Sequence, residues 1–185
     1  MPNISPINLD QPGPATDIVN TVKAKLGAVP NIFATMAQSP AVLEGFLAFN
    51  GALSSGRLTA GVREQIALAV AGENECDYCA SAHSFVAKSS GIDAAEAALN
   101  LAGSATDPKV AAIIGFARDV VRSRGLLEDP ASSLNELRNA GLTDAEIVET
   151  LAHVGLNLFT NYFNHVANTE IDFPFVTAVA KNSAA

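Results

Sequence analysis

The chain lacks tryptophan and has only two cysteines, two methionines and two tyrosines. It is also poor in basic residues, with 11 Lys and Arg against 19 Asp and Glu and a net charge of -8. Nucleic acid and anionic membrane surfaces are therefore not expected as partners, since phosphate binding needs a cluster of cations. No apolar run approaches the roughly 20 residues of a membrane-spanning helix, and the polar start of the chain contains no recognisable signal peptide. These absences predict a cytoplasmic protein.

The apolar residues that are present suffice for one folded domain. The chain has 185 residues, of which 49% are hydrophobic, and this is enough to bury a full core. Residues 1–16 are polar and contain prolines, so we expect an arm that is either loose or packed on a neighbouring subunit. The remainder, residues 17–180, is expected to form a single helical domain.

Start and stop signals for helices recur along the chain, whereas signals for strands are nearly absent. Only residues 173–179 could form a strand, and Pro174 argues against it. The pattern predicts an all-α fold, a compact bundle of six to eight helices joined by short loops. Seven of these helices have readable bounds, which are 41–54, 59–74, 76–89, 93–102, 107–124, 133–141 and 143–168.

Both cysteines and one of the three histidines fall within one short segment, from Cys76 to His83. Two thiols separated by two residues can close a disulfide across the first turn of a helix. His83 follows Cys79 by four residues, so it lies on the same helical face and within reach of that sulfur. The segment therefore holds an attacking sulfur, a resolving sulfur and a base, which are the minimum set for thiol redox chemistry.

Charges near this segment act on the ionisation of Cys79 in opposite directions. The helix N-terminus at Cys76 and the imidazole of His83 favour the thiolate. Three carboxylates oppose it, but exposed charges act weakly through water and salt; they belong to Glu73, Glu75 and Asp77. We therefore expect Cys79 to be a moderately acidic thiol.

Two other interpretations of the cysteines are open. They could be buried without reacting, or they could form half of a zinc site that is completed by histidines such as His83, His153 and His165. A polar stripe on the last predicted helix also has two interpretations, since it could line a substrate pocket or hydrogen-bond between helices. Its members recur every four residues and are His153, Asn157, Asn161 and His165.

The surroundings of the two cysteines resemble a known family. Glu64 stands twelve residues before Cys76, in the run Arg63 to Val70 that leads into Cys-x-x-Cys-x-x-x-His. With the phrases Val29 to Phe33 and Asn161 to His165, this pattern resembles the AhpD-like alkylhydroperoxidases of the carboxymuconolactone decarboxylase superfamily, and in particular their peroxidase-related branch. The resemblance covers residues 25 to 175.

The resemblance implies an AhpD-like helical subunit that assembles into a homo-trimer or homo-hexamer. It also implies reduction of organic hydroperoxides through a dithiol/disulfide cycle, with no haem, flavin, metal or other cofactor. The implied partner is an external dithiol reductant, either lipoyl-carrying or thioredoxin-like. Two alternatives remain, a redox-sensing helical oligomer without steady turnover and an enzyme like the lactone decarboxylases, whose chemistry does not use a Cys-x-x-Cys pair.

The resemblance also implies a role for each residue of the motif. Cys79 would be the peroxidatic cysteine and Cys76 the resolving one. His83 and Glu64 would form a proton relay beside them. Tyr78 stands where the family often has a histidine, and it would support the four residues of the motif without contacting the substrate.

Overall fold

A computed structural model describes residues 1–178 of the chain. Every regular element in these residues is helical, which confirms the predicted all-α class. The described chain contains nine α-helices, so the predicted number of six to eight was too low. They are α1 (Thr16–Leu26), α2 (Asn31–Met36), α3 (Pro40–Ser54), α4 (Ala60–Glu73), α5 (Asp77–Ala87), α6 (Ala94–Leu101), α7 (Pro108–Ser123), α8 (Pro130–Asn139) and α9 (Asp144–Ala167).

Two short helices near the N-terminus account for the low predicted number. α1 begins after Ala15, where no side chain accepts a hydrogen bond from the helix N-terminus. α2 has six residues and begins after Pro30, again without a side-chain cap. A short helix without a capping side chain leaves little signal in a sequence, because most of its stability comes from packing.

Capping side chains mark the helix starts that the sequence predicts well. A side chain accepts a backbone N–H at the start of α4, α6, α7 and α9, as predicted, from Thr59, Asp93, Asp107 and Thr143. The predicted start of α8 at Ser133 is wrong, because Asp129 accepts the N–H of Ser132 at 2.9 Å and Pro130 opens the helix. Ser39 precedes α3 without making a side-chain cap.

α4 lies at the centre of the bundle. Every residue from Gln65 to Ala71 is buried, and the helix packs against α5, α6, α7 and α9. At Gly72 a side-chain carbon would collide with the carbonyl of Leu101 in α6, so glycine permits the close approach of these two helices. The position of α4 therefore fixes the start of α5, which follows it after three residues.

The turn between α4 and α5 is a Schellman motif. Glu75 adopts the left-handed conformation with φ of 55°. The N–H of Cys76 donates to the carbonyl of Ala71 at 2.9 Å, and the N–H of Glu75 donates to the carbonyl of Gly72 at 3.3 Å. Cys76 then serves as the N-cap of α5. One residue thus closes the first helix and opens the second.

The N-terminal arm packs on its own domain. The N–H groups of Asn3 and Ile4 donate to the carbonyl of Ala167 at 2.7 and 3.2 Å, and the N–H of Ile7 donates to the carbonyl of Ala34 at 3.0 Å. The arm therefore contacts its own domain at these points, whereas the expectation was an arm that is loose or packed on a neighbouring subunit. The expected end of the helical domain at residue 180 lies outside the described residues.

Residues 169–178 form a segment that we call the C-terminal strap, which crosses the start of α5. The N–H of Ala178 donates to Asp77 Oδ1 at 2.7 Å, and the N–H of Val176 donates to Ser81 Oγ at 2.9 Å. No strand occurs in the strap, as Pro174 indicated, and Val179 of the considered strand lies outside the described part. Nowhere along residues 1–178 does a helix combine the length and apolar character that crossing a bilayer requires.

Candidate active site

The two cysteines stand at the first turn of α5, where the sequence predicts them. Both are buried free thiols. Cys76 is the N-cap, and its Sγ accepts the backbone N–H of Cys79 at 3.4 Å. A sulfur in the capping position receives the partial positive charge of the helix N-terminus, which stabilises a thiolate there.

Residues of α9 approach the second sulfur from across the bundle. Asn164 Nδ2 donates to Cys79 Sγ at 3.3 Å, and one turn earlier Asn161 Oδ1 accepts a hydrogen bond from Asn74 Nδ2 at 3.0 Å. Sequence reasoning missed Asn164, because it extended the polar stripe of α9 in steps of four to His165. His165 is exposed, whereas Asn164 continues the buried face.

His83 of α5 and Glu64 of α4 lie in contact, as the family resemblance implies. His83 Nδ1 lies 2.8 Å from Glu64 Oε2. Burial alone would lower the pKa of His83, but the charge of Glu64 and its hydrogen bond outweigh burial and raise that pKa. The pair can therefore hold a proton as an imidazolium beside the dithiol.

Tyr78 is held by hydrogen bonds on both sides of its hydroxyl. The hydroxyl donates to Asp172 Oδ1 at 2.9 Å and accepts the N–H of Ile32 at 3.2 Å. Burial raises the pKa of Tyr78 far above its usual value, and the negative charge of Asp172 adds to this effect. Tyr78 is thus a neutral phenol that ties the start of α5 to the strap and to α2.

The pKa values of the two thiols are shifted in opposite directions, which differs from the expectation of a moderately acidic Cys79. The hydrogen bond from the Cys79 thiol, together with the N–H of Cys79 and the charge of His83, lowers the pKa of Cys76. The hydrogen bond to Cys76, burial and the charge of Cys76 raise the pKa of Cys79. Cys76 is therefore the more acidic of the two thiols, and the expectation of a moderately acidic Cys79 is not supported.

One of the expected opposing charges is neutralised by ion pairs. Glu73 Oε2 lies 2.9 Å from Arg118 Nε, and Glu73 Oε1 lies 2.6 Å from Arg122 Nε. Although burial raises the pKa of Glu73, the two guanidinium groups outweigh burial and lower it. The carboxylate of Glu73 therefore forms ion pairs with two arginines of α7, which reduces its effect on the dithiol.

A cavity of about 660 Å³ opens beside α5. Four of the five predicted site residues contribute to its wall, namely Glu64, Tyr78, Cys79 and His83, whereas Cys76 does not. Aromatic rings from α2, α3, α5 and the strap form an apolar part of the wall: Phe33, Phe46, Phe85 and Phe173. Polar groups of α4 and α9 form another part: Arg63, His153, Asn157 and Asn164. The cavity thus brings an apolar surface and Cys79 together.

The zinc interpretation finds no support in the described residues. Across residues 1–178 there is no group of three or more His, Cys, Asp or Glu side chains that could hold a metal ion. His165, one of the histidines considered for such a site, is exposed on α9. The cysteines therefore present a dithiol with an adjacent imidazole.

Comparison with known proteins agrees with this geometry. The family model of the carboxymuconolactone decarboxylase family matches residues 40–123, which hold the dithiol and Glu64. A crystal structure described as an alkylhydroperoxidase AhpD core, a peroxidase-related protein from Ralstonia eutropha JMP134, superposes with a TM-score of 0.80 and 26% identity over 91% of this chain and 93% of that chain. No match among curated proteins reaches significance.

Two further structures share the fold at lower identity. A peroxidase-related protein from Silicibacter sp. TM1040 has a TM-score of 0.78 and 22% identity over 91% of this chain and 92% of that chain. The debrominase Bmp8 with bound 2,3,4-tribromopyrrole has a TM-score of 0.75 and 17% identity over 92% and 91% of the two chains. At this identity the likeness concerns the fold alone. The family match over residues 40–123 and the fold shared with the AhpD core make the chain similar to the AhpD-like proteins of the carboxymuconolactone decarboxylase superfamily.

Proposed function

We propose that this protein is a thiol-dependent peroxidase that reduces organic hydroperoxides through a dithiol/disulfide cycle of Cys79 and Cys76. One observation carries the proposal. Of the two thiols, Cys79 lies in the wall of the cavity, which His83 also lines, whereas Cys76 does not line the cavity but accepts the backbone N–H of Cys79. A substrate in the cavity would therefore meet Cys79 first, with the second thiol positioned to react afterwards.

The lower pKa of Cys76 and the higher pKa of Cys79 are compatible with attack by Cys79 followed by reaction of Cys76. The Cys76 thiolate accepts the proton of the Cys79 thiol, and the Cys79 sulfur then attacks the terminal oxygen of ROOH. A sulfur–oxygen bond forms and the oxygen–oxygen bond breaks, which leaves a sulfenic acid on Cys79 and releases RO⁻. The imidazolium of His83, which Glu64 maintains, supplies the proton that converts RO⁻ to the alcohol.

Resolution of the sulfenic acid uses the second thiol. The sulfur of Cys76 attacks the sulfur of Cys79, the sulfur–oxygen bond breaks, and water leaves as the disulfide forms. Two electrons from an external dithiol, either lipoyl-carrying or thioredoxin-like, then restore both thiols. This cycle needs no bound cofactor, and the reducing conditions of the cytoplasm would keep the resting protein in the dithiol state.

The size and lining of the cavity support an organic substrate over hydrogen peroxide. A volume of about 660 Å³ is within the ordinary range for small-molecule sites, and four phenylalanines line it. Burial of an organic R group against these rings would provide binding energy that hydrogen peroxide cannot use. We therefore expect a lower KM for an aromatic hydroperoxide such as cumene hydroperoxide.

Assembly into a homo-trimer or homo-hexamer is also proposed. Five large apolar side chains of α9 are exposed on the isolated subunit, namely Val148, Leu151, Phe159, Tyr162 and Val166. Exposed apolar surface of this extent on one helix is typical of an interface between subunits. Sedimentation equilibrium measures the subunit number directly, and a monomer at micromolar concentration contradicts the proposal.

The test is consumption of cumene hydroperoxide by the reduced, metal-free protein with excess dihydrolipoamide. We expect the native chain to form cumyl alcohol over many turnovers and Cys79→Ser to form none above background. Lys88→Ala, an exposed position at the end of α5, is the matched control and should match the native rate.

The rival functions give different results in the same experiment. A redox sensor would oxidise its dithiol once, so that one equivalent of alcohol forms and turnover then stops. A decarboxylase would release carbon dioxide from a carboxymuconolactone, and Cys79→Ser would retain that activity. Absence of any peroxide consumption by the native protein contradicts the peroxidase proposal.

A further inference from the structure

One amide side chain of α9 donates to the sulfur of Cys79, and a second amide lies one turn earlier on the same helix. Asn164 Nδ2 donates to Cys79 Sγ at 3.3 Å. Asn161 lies one turn earlier on the same buried face, and both are closed off from solvent, with exposed fractions of 4% for Asn164 and 0% for Asn161. Sulfur of a neutral thiol is a weak acceptor, so these amides gain most of their interaction when the sulfur carries charge.

The orientation of the Asn161 amide is fixed by a third asparagine. Asn161 Oδ1 accepts a hydrogen bond from Asn74 Nδ2 at 3.0 Å, which leaves Asn161 Nδ2 as the available donor. This Nδ2 is buried and has no hydrogen-bond partner in the described residues. Few buried donors in native proteins remain without an acceptor, so an orphan donor one turn from the amide that binds the Cys79 sulfur calls for an explanation.

We propose that Asn164 is a catalytic residue and that Asn161 assists it, both by donating amide hydrogen bonds to the sulfur of Cys79 when that sulfur is negatively charged. The inference rests on the proposed thiol chemistry and adds to it the groups that make the buried sulfur nucleophilic. In this arrangement Asn74 is a positioning residue, because it acts on the sulfur only through Asn161.

Cys79 needs such donors because the other groups that could stabilise its thiolate are hydrogen-bonded to other residues. Its own backbone N–H, which carries the field of the helix N-terminus, donates to Cys76 Sγ. The Nδ1 of His83 is engaged with Glu64. Burial and the Cys76 charge raise the pKa of Cys79, whereas the amides of Asn164 and Asn161 act to lower it.

The titratable groups around Cys79 come from α4, α5, α9 and the strap. The titratable residue that α9 contributes to the cavity wall is His153. Burial lowers the pKa of His153, and the charge of Arg63 lowers it further, so the imidazole is neutral at pH 7. The side chains of the other elements are Glu64, Cys76, Asp77, Tyr78, His83 and Asp172. The amides of α9 thus face the sulfur without contributing a charge of their own.

The test measures the ionisation of Cys79 directly and uses no peroxide. In a Cys76→Ser background, Cys79 is the one remaining thiol, and its alkylation by iodoacetamide is followed against pH. We expect Asn164→Leu to raise the midpoint by about one unit, which makes alkylation at pH 7 about tenfold slower. Asn161→Leu should give a smaller shift in the same direction. His165→Ala, the exposed neighbour on α9, is the control and should give none.

A second measurement tests the proposal without substituting either asparagine. In the Cys76→Ser protein labelled with nitrogen-15, the side-chain amide protons of Asn164 and Asn161 should move downfield with the midpoint of Cys79 alkylation. The proposal is overturned if Asn164→Leu leaves the alkylation midpoint unchanged, or if neither amide follows the Cys79 titration. Because peroxide turnover of the native chain is measured separately, failure of the peroxidase proposal is distinguishable from failure of this one.

Discussion

The starts of α5 and α9 use the same capping pattern with different chemistry. At α9, Thr143 Oγ1 accepts the N–H of Glu146 at 3.3 Å, and Glu146 Oε2 accepts the N–H of Thr143 at 2.7 Å. At α5, Cys76 Sγ accepts the N–H of Cys79 at 3.4 Å. Each helix thus begins with a side chain that accepts the N–H of the residue three positions later.

The difference lies in whether the cap can ionise. The hydroxyl of Thr143 stays neutral at any physiological pH, so the cap of α9 serves only stability. The thiol of Cys76 loses its proton readily, and as a thiolate it becomes a stronger acceptor and a nucleophile. A sulfur in place of an oxygen at the capping position, as at Cys76, therefore makes the N-cap a reactive group as well as a structural one.

Conversion of the α5 cap into a hydroxyl cap should have the largest effect. We expect Cys76→Ser to lower sustained turnover of cumene hydroperoxide at least about 100-fold, because no thiol remains to resolve the sulfenic acid. Stability in urea should change by less than about 1 kcal/mol, since serine is a good N-cap. Thr143→Ser, the same kind of cap on α9, should retain native turnover. Undiminished turnover in Cys76→Ser would show that Cys76 does not resolve the intermediate.

Removal of the charge behind His83 should have the next largest effect. Because Glu64 holds the pKa of His83 up, Glu64→Gln should lower that pKa and deplete the imidazolium at pH 7. We expect turnover to fall about 10- to 100-fold and the alkaline limb of the pH–rate profile to move to lower pH. Glu136→Gln, at an exposed position of α8, is the control. A profile that keeps its alkaline limb in place contradicts the relay.

Disruption of the α9 cap should affect stability and leave catalysis intact. Glu146→Ala removes one half of the capping box, so we expect a loss of about 0.5 to 2 kcal/mol, which corresponds to roughly 2 to 4 °C in Tm per kcal/mol for a chain of this size. Turnover by the folded variant at 25 °C should equal that of the native protein. A parallel loss of turnover would mean that the two caps are not independent.

The pH dependence of this stability difference has a defined sign. Hydrogen bonds from the backbone and side chain of Thr143, with a smaller effect of Lys109, lower the pKa of Glu146 to about 2. A carboxylate whose pKa is lower in the folded state stabilises the fold above its unfolded pKa near 4.3. The difference in Tm between the native chain and Glu146→Ala should therefore shrink as the pH falls from about 4 towards 2. Thermal unfolding by circular dichroism measures it.

The smallest expected effect concerns the turn that precedes the α5 cap. Glu75 adopts a left-handed backbone conformation. This conformation is unfavourable by about 1 to 2 kcal/mol for a residue with a side chain. Glycine adopts it without this strain but loses more conformational entropy on folding. We expect Glu75→Gly to stabilise the protein by about 0.5 kcal/mol in urea and to leave turnover unchanged. A clear loss of stability would show that the Glu75 side chain makes a favourable interaction in this turn.

Local signals in the sequence predicted more of this molecule than distant contacts did. Helix starts at Thr59, Asp93 and Thr143 were predictable because a capping side chain and its N–H partner lie three residues apart. The dithiol was predictable for the same reason. By contrast, Asn164 and Cys79 are separated by 85 positions, and no local spacing relates them.

The expectation of a moderately acidic Cys79 was not met for a similar reason. The expectation weighed the helix N-terminus and His83 together as acting on Cys79, but the N–H in question points to Cys76 Sγ. Whether a donor meets one sulfur or the other depends on side-chain geometry within a single turn. Burial of Cys79 against α9, which raises its pKa, depends on how the helices pack.

The position of Cys76 at the junction of two helices makes backbone exchange a reporter of oxidation. Formation of a disulfide takes the Cys76 sulfur away as an acceptor, so the amide of Cys79 loses its partner while the amide of Cys76 keeps its bond to Ala71. We expect the two neighbouring amides to respond differently to oxidation in hydrogen–deuterium exchange. Faster exchange at Cys79 with unchanged exchange at Cys76 would then show, residue by residue, how far a redox event spreads along the chain.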